Sequence, residues 1–281
     1  MSRSLLIRTG AGLAAAVVVA ANAAGCGEKV EPESSRLPYF QRAEAPVASA
    51  SVAPRSPAAE RVVHARSHSP CAEAAFRPLR TRAVAFAAFV RTGARAYATP
   101  GRKVLRRFGR LNANGVPTVF GVLGRARCRG EWLRVQLPLR PNGLLGWVRA
   151  RDVELVRVHT RIHVDLSERR VTLFRRGREV LRVRAAIGSA DTPTPTGSYY
   201  VNQRLLAPDP SGPFGPAALG ISAFSPVLQD WIQGGPVAIH GTNRPDLIGR
   251  AVSHGCVRVA NPVLVRLFRS AAVGTPVVIR A

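Results

Sequence analysis

Apolar and charged positions alternate over the C-terminal part of the chain, and this period of two predicts β-strands. The first two such stretches are separated by Ser167, Glu168 and Arg169, which favours a hairpin. A third stretch ends at Gly188. The predicted strands are 161–166, 170–174, 178–187, 198–201, 237–240 and 276–279.

Two other patterns interrupt these strands. Residues 192–197 contain Pro193 and Pro195, which lack amide donors, so the segment is predicted to be a loop. Apolar residues at 263, 264, 267 and 268 have helical spacing, with Asn261 as the expected cap and Pro262 in the first turn. We therefore predict a mainly β domain over 160–281 with one or two short helices.

Residues 94–156 carry short apolar runs separated by Gly and Pro, a pattern typical of a small barrel of short strands. The stretch from Trp132 to Val148 resembles the SH3-like β-barrel domains of bacterial cell-wall proteins. Trp132 and Trp147 would then either line a groove that binds wall polymer or belong to the core. Residues 27–90 are predicted to be a flexible tether, because 27–75 is rich in Pro, Ala, Ser and Arg without an apolar period.

Residues 1–26 have the features of a signal peptide. Arg3 and Arg8 precede an apolar run over 10–21, and small residues follow it up to Cys26. One interpretation is a lipobox in which Cys26 becomes lipidated and anchors the chain to the membrane. The other is plain secretion, with cleavage after the small residues at 21–23. Both interpretations place the mature chain in the cell envelope, outside the cytoplasmic membrane.

The four cysteines fit an oxidising compartment. If Cys26 carries lipid, Cys71 and Cys128 are free to form a disulfide, and Cys256 is left as an unpaired thiol. Other pairings stay open at the level of sequence.

The formal net charge is +25, and only two of the 41 basic residues are lysines, Lys29 and Lys103. The arginines are spread along the whole chain without the interleaved aromatic residues of a stacking surface, so we expect no nucleic-acid partner. Weak attraction to anionic envelope polymers is consistent with this charge.

The chemistry is concentrated in two short segments, His240-Gly-Thr-Asn243 and Ser253-His-Gly-Cys-Val-Arg258. A catalytic thiol needs a group that accepts its proton. His240 arrives from a separate strand and is the predicted base, whereas His254 is too close in sequence to Cys256 and is assigned a supporting role. The amides of Gly255 and Cys256 are candidate oxyanion donors, and Arg258 is placed to hold a carboxylate. A zinc site on the same residues would lack a CxxC or HExxH pattern, so no metal is predicted.

These segments resemble the L,D-transpeptidase catalytic domain, also called the YkuD domain. The resemblance extends to 187–188, 194–197, 215–224, 248–249, Asn261 and 274–277. It implies that Cys256 is the nucleophile, that His240 donates and accepts the proton, and that the carbonyl of Gly241 orients His240. It also implies substrate contacts from Ser253, Arg258, Thr242 and Asn243, and no cofactor.

The resemblance further implies a peptidoglycan L,D-transpeptidase that forms 3→3 cross-links between donor and acceptor stem peptides through a Cys256 thioester. Carbapenems acylate domains of this kind. An L,D-carboxypeptidase, in which water replaces the acceptor amine, is the alternative within the enzyme class. A non-catalytic cell-wall-binding protein is the alternative outside it. The oligomeric state does not follow from the sequence.

Overall fold

The structure is a computed structural model that describes residues 75–281. The predicted signal peptide with Cys26, the tether up to residue 74 and Cys71 lie outside the described residues. None of the described helices is both long and apolar enough to cross a membrane.

Residues 77–158 form one antiparallel sheet. Its strands are β1 (Arg77–Pro78), β2 (Ala85–Val90), β3 (Gly93–Thr99), β4 (Arg102–Gly109), β5 (Val119–Arg127), β6 (Glu131–Gln136), β7 (Leu145–Arg149) and β8 (Val153–Val158). The strand order along the main path is β4-β3-β7-β6-β5-β2-β8, and β1 pairs with β5. A 3₁₀ turn at Ala150–Asp152 leads into β8.

The prediction of a tether up to residue 90 is wrong at its C-terminal end, because β2 pairs with both β5 and β8 inside this sheet. Ala85, Ala87 and Ala88 are buried there. Alanine is common in tethers as well as in cores, so its small side chain hid the strand in the sequence pattern. The SH3-like identity of this sheet stays a prediction.

Trp132 and Trp147 are buried and belong to a hydrophobic cluster of the first sheet. Tyr97 meets Trp132 edge to face, with ring centroids 5.5 Å apart. The guanidinium groups of Arg149 and Arg134 lie over the two indoles, at 5.3 and 5.1 Å. Of the two roles considered for these tryptophans, the structure favours the core.

Residues 160–280 form a second, mixed sheet and a separate pair of strands. The strands are β9 (Thr160–Asp165), β10 (Arg170–Arg175), β11 (Arg178–Arg184), β12 (Ile187–Gly188), β13 (Gly197–Leu206), β14 (Ala217–Phe224), β15 (Pro236–His240), β16 (Ala251–Ser253), β17 (Val257–Arg258) and β18 (Pro276–Arg280). The order in the sheet is β11-β10-β9-β18-β13-β14-β15-β17, and β12 and β16 form the separate parallel pair. The predicted hairpin is present as the antiparallel pair β9 and β10. Two 3₁₀ turns lie at Ile232–Gly234 and Pro245–Leu247.

The described residues contain one α-helix, α1 (Asn261–Ser270), which buries Leu264 and Leu267 against the second sheet. The prediction that Asn261 caps this helix is wrong: Ala260 is the N-cap residue and makes no side-chain cap. The side-chain oxygen of Asn261 instead accepts a hydrogen bond of 2.8 Å from the amide of Thr242. Asn261 therefore fixes the segment after β15.

The two faces of the second sheet have different roles. Val237 and Ile239 of β15 point into the core that contains α1. Because side chains alternate along a strand, Ala238 and His240 lie on the opposite face. Tyr200 of β13 also alternates with core residues and lies on that opposite face, where its hydroxyl donates to the carbonyl of Val119 in the first sheet at 3.0 Å. The face that carries His240 is thus the face on which the first sheet packs.

Candidate active site

Four of the predicted chemical residues, His240, His254, Cys256 and Arg258, line a single cleft of about 100 Å³. Strand β15 ends at His240, and β17 pairs with it in parallel, so that His240 lies opposite Arg258. The turn between β16 and β17 contributes His254 and Cys256. The remaining lining residues are Pro213, Phe214, Ser225, Leu228, Trp231, Gly235 and Pro236.

His240 is buried, and its Nδ1 lies 2.6 Å from the carbonyl oxygen of Gly241. A carbonyl only accepts, so Nδ1 carries the hydrogen and the neutral ring keeps its lone pair on Nε2. Burial, followed by the charge of Arg258, lowers the pKa of His240 to about 4, against the opposing effect of the Gly241 and Phe214 backbone. At neutral pH the imidazole is therefore an uncharged proton acceptor.

Cys256 is a free thiol among the described residues and is half-buried. Burial raises its pKa above the ordinary value, while a backbone hydrogen bond with Ala238 and the charge of Arg258 act in the lowering direction. A raised thiol pKa and a lowered imidazole pKa together mean that the resting pair is neutral. Because Cys256 is a neutral thiol in the resting state, it must lose its proton as it attacks.

The turn that presents Cys256 is held by Ser253. Its hydroxyl donates to the carbonyl of Cys256 at 2.5 Å and accepts from the amide of Gly255 at 3.2 Å. Gly255 has a φ of +107°, a conformation that favours glycine. The carbonyl of Ser253 in turn accepts a bond of 2.9 Å from the hydroxyl of Thr192, in the predicted proline-rich loop. Ser253 is a buried support of the turn, and the amide of Gly255 is already hydrogen-bonded to it.

Arg258 supplies positive charge to the cleft. Its Nε is buried without a hydrogen-bond partner in the part of the chain that the structure describes. The backbone of Arg258 exchanges two bonds of 2.8 Å with Ala186, which fixes the base of the side chain. An unpaired guanidinium N–H in a cleft is suited to an anionic group of a bound molecule.

The remaining predicted residues have other positions. His254 lines the cleft but is exposed, and its ring lies obliquely against Trp231, with ring centroids 5.6 Å apart. Thr242 and Asn243 are not among the residues that line the cleft. Thr242 is buried, and its hydroxyl accepts from the amide of Arg244 at 3.0 Å, while Asn243 is exposed.

Sequence reasoning missed the aromatic walls of the cleft. The ring of Phe214 lies 4.9 Å from that of His240. Leu228 and Trp231 come from the connection between β14 and β15. In the sequence, the signal for this wall was Trp231, a tryptophan in a segment without a regular apolar pattern.

Cys128 is disulfide-bonded. Its predicted partner, Cys71, lies outside the described residues. Within 75–281, no group of three or more His, Cys, Asp or Glu side chains is arranged to hold a metal ion.

The model of the YkuD family, described as the L,D-transpeptidase catalytic domain, matches residues 159–279. The putative L,D-transpeptidase YkuD of Bacillus licheniformis is 38% identical over 117 residues, which are 42% of this chain and 63% of that protein. The protein of the same name from Bacillus subtilis is 36% identical over 118 residues, 42% of this chain and 64% of that protein. The chain thus spans less than two thirds of the length of these curated relatives.

A crystal structure of an Enterococcus faecium L,D-transpeptidase variant is 25% identical and covers 43% of this chain and 49% of its own, with a TM-score of 0.34. Every residue that lines the cleft falls inside residues 159–279, the stretch that the family model matches. Residues 159–279 therefore match the L,D-transpeptidase catalytic domain of the YkuD family.

Proposed function

We propose that this protein is a peptidoglycan L,D-transpeptidase with Cys256 as nucleophile and His240 as the group that accepts and returns the proton. The observation that carries the proposal is the neutral pair in one cleft: a free thiol and a buried imidazole whose Nδ1 is bound to the Gly241 carbonyl. The proposed location is the cell envelope, where peptidoglycan lies.

In the proposed first step, the Cys256 thiol transfers its proton to Nε2 of His240 as Sγ bonds to the carbonyl carbon of an L-centre in the donor stem peptide. The C–N bond to the terminal D-Ala then breaks, and the imidazolium returns the proton to the departing amine. A thioester on Cys256 is left.

In the second step, a side-chain amine of an acceptor stem attacks the thioester carbonyl. It gives a proton to His240, and the C–S bond breaks. The thiolate takes that proton back, so the thiol and the neutral imidazole are restored. Arg258 is proposed to hold a carboxylate of the stem during both steps, and its buried, unpartnered Nε supports this role.

The test is incubation of the full chain with tetrapeptide muropeptides and analysis of the products by mass spectrometry. We expect cross-linked dimers that form with wild type and are absent with Cys256→Ala. Cys256 is half-buried and makes no disulfide, so the variant should unfold at nearly the wild-type temperature.

Each other outcome contradicts part of the proposal. Tripeptide without dimer indicates an L,D-carboxypeptidase. Absence of any turnover by wild type indicates a wall-binding protein. Cross-linking by the Cys256→Ala variant excludes Cys256 as the nucleophile. A carbapenem provides an independent check, since we expect a stable mass increase on wild type that the Cys256→Ala variant does not show.

A further inference from the structure

A second, larger depression lies between the first sheet and the face of the second sheet that carries His240. Its volume is about 580 Å³, within the roughly 300–1,000 Å³ range of ligand pockets, whereas the catalytic cleft of about 100 Å³ is well below it. We call it the interdomain groove. Its lining includes Arg106, Arg107 and Arg140 from the first sheet and its loops, and Asn202, Phe224 and Pro236 from the second.

The groove adjoins the cleft. Pro236 lines both, and the neighbouring pairs Phe224–Ser225 and Gly234–Gly235 each place one residue on the groove and one on the cleft. Strand β15 runs from Pro236 to His240, five residues in all. At about 3.3 Å per residue, the Cα atoms of Pro236 and His240 are about 13 Å apart, so the groove begins close to the catalytic histidine.

The groove has an uncompensated positive charge. Arg106, Arg107 and Arg140 line it, and no Asp or Glu does. Arg106 and Arg107 are exposed on β4, and neither has an ion pair with any residue that the structure describes. Arg140 is different, because its Nη2 donates to the carbonyls of Ser225 and Gly234 at 2.6 and 2.7 Å.

The groove also contains an unused acceptor. Oδ1 of Asn202 is buried and has no hydrogen-bond partner in the described part of the chain. By contrast, the oxygen of the adjacent Gln203 accepts from the side chains of both Asn112 and Asn114, at 3.0 and 2.8 Å. A buried acceptor without a donor is unfavourable, so a ligand N–H that donates to Asn202 would be favourable.

We propose that the interdomain groove binds the part of a carboxylate-bearing peptide that extends beyond the residue at Cys256. The carboxylates lie against Arg106 and Arg107, and a peptide N–H donates to Asn202. This inference rests on the proposed function, since the peptide is the remainder of the stem whose carbonyl reacts. It gives the first sheet a direct role in substrate binding.

The test uses the full chain carrying Cys256→Ala, so that binding is measured without turnover. The probe is a tetrapeptide stem ending in diaminopimelyl-D-Ala, and its Kd is measured by calorimetry. We expect the double variant R106E/R107E to weaken binding by about 10-fold or more, because two favourable charge contacts become repulsive. If the non-terminal carboxylates of the stem are amidated, the Cys256→Ala chain should bind it with similar Kd whether or not it also carries R106E/R107E.

The control is R157E/R178E, which changes the net charge equally at two exposed arginines that do not line the groove. If this control weakens binding as much as R106E/R107E, the effect is long-range attraction and the proposal is wrong. It is also wrong if R106E/R107E has no effect. Where charge reversal impairs folding, R106Q/R107Q takes its place, with about 3-fold weakening expected.

A separate measurement distinguishes failure of the groove from failure of the proposed function. Acylation of wild-type Cys256 by a carbapenem needs only the cleft, and R106E/R107E should leave its rate unchanged. If R106E/R107E does not weaken peptide binding while wild-type Cys256 is acylated normally, the groove proposal alone is contradicted. Groove-dependent binding of the peptide without any wild-type turnover contradicts the enzymatic function alone.

Discussion

At the scale of single residues, the protonation states of His240 and Cys256 determine which mechanism the cleft can support. Burial lowers the imidazole pKa and raises the thiol pKa, so both groups are uncharged at neutral pH. Arg258 favours the thiolate and disfavours the imidazolium, because its positive charge lowers both pKa values. The arrangement therefore supports general-base catalysis rather than a preformed ion pair.

The pKa of His240 can be measured by NMR titration of its ring protons, with His240→Gln used to assign the signal. We expect a midpoint of about 4 and a neutral ring above it. Arg258→Gln should raise the midpoint, because the nearby positive charge is removed, and Arg250→Gln should leave it in place. A midpoint at or above 6.5 would contradict the neutral pair.

The same shift predicts a pH dependence of stability. The folded state keeps the His240 ring neutral. The contribution of His240 to the unfolding free energy is therefore fully present above the pKa of about 6.5 in the unfolded chain, and it is lost as the pH falls towards 4. We expect the unfolding free energy of wild type to drop by up to about 3 kcal/mol more than that of His240→Gln over this range. The unfolding free energy is measured by denaturant titration at each pH. If it changes with pH in the same way for wild type and for His240→Gln, this prediction is wrong.

Ser253 is the second residue whose removal is informative. Ser253→Ala removes the donor to the Cys256 carbonyl and the acceptor of the Gly255 amide. We expect a loss of about 1–2 kcal/mol in unfolding free energy and a fall in turnover of about 10-fold or more, because the thiol moves. Ser167→Ala is the control, since its hydroxyl donates to Asp165 Oδ1 at 2.7 Å in the turn between β9 and β10 and does not contact the turn that presents Cys256. Equal turnover in the two variants would show that Ser253 does not position Cys256.

At the scale of elements, the connection between β14 and β15 forms one wall of the cleft, yet residues of the loop between β6 and β7 in the first sheet hold its ends. Arg140 donates to the carbonyls of Ser225 and Gly234, near the two ends of this connection. Asn142 exchanges two hydrogen bonds with the backbone of Phe224, at 2.8 and 2.9 Å. The first sheet thus contributes to the shape of the cleft.

We expect Arg140→Ala to speed amide hydrogen exchange over 225–235 and to raise KM several-fold. The reason is that charged hydrogen bonds to two carbonyls are lost at a partly exposed site, worth roughly 1.5–3 kcal/mol each. Arg127→Ala, which breaks an exposed ion pair with Glu131 in the same sheet, should change neither quantity. Unchanged exchange over 225–235 in Arg140→Ala would rule out the role of Arg140 in holding the wall.

At the scale of the whole molecule, the two sheets meet around Tyr200. Its ring is fully buried, and a Cβ added at Gly121 would lie 2.7 Å from its Cδ1. Glycine at 121 is therefore required by the close approach of the two sheets. The contact lies on the face that also carries His240 and the interdomain groove.

Gly121→Ala should destabilise the protein by about 1–3 kcal/mol, because the added methyl group forces the sheets apart. Gly109→Ala is a matched control in the same sheet, where the nearest atom to an added Cβ is 3.5 Å away. Thermal unfolding followed by circular dichroism measures both variants. Equal unfolding temperatures would mean that the contact between the sheets contributes little.

Much of the second sheet could be predicted from its hydrophobic alternation. The hairpin of β9 and β10, the strand that ends at His240 and the helix after Pro262 all follow from local patterns. The early start of the first sheet could not be predicted, because alanine in β2 carries a weak signal. Capping by Asn261 failed because a distant amide, that of Thr242, takes its side-chain oxygen.

By itself, the sequence determined which residue types could react and which strands would carry them, since alternation and the Ser-His-Gly-Cys segment are local properties. Only the tertiary structure decided the protonation states, because burial and the approach of Arg258 to His240 depend on the pairing of β15 with β17. It also decided which aromatic residues form the walls and placed the basic groove beside the cleft. The groove joins residues that are more than a hundred positions apart, such as Arg106 and Pro236, and no local pattern records such contacts.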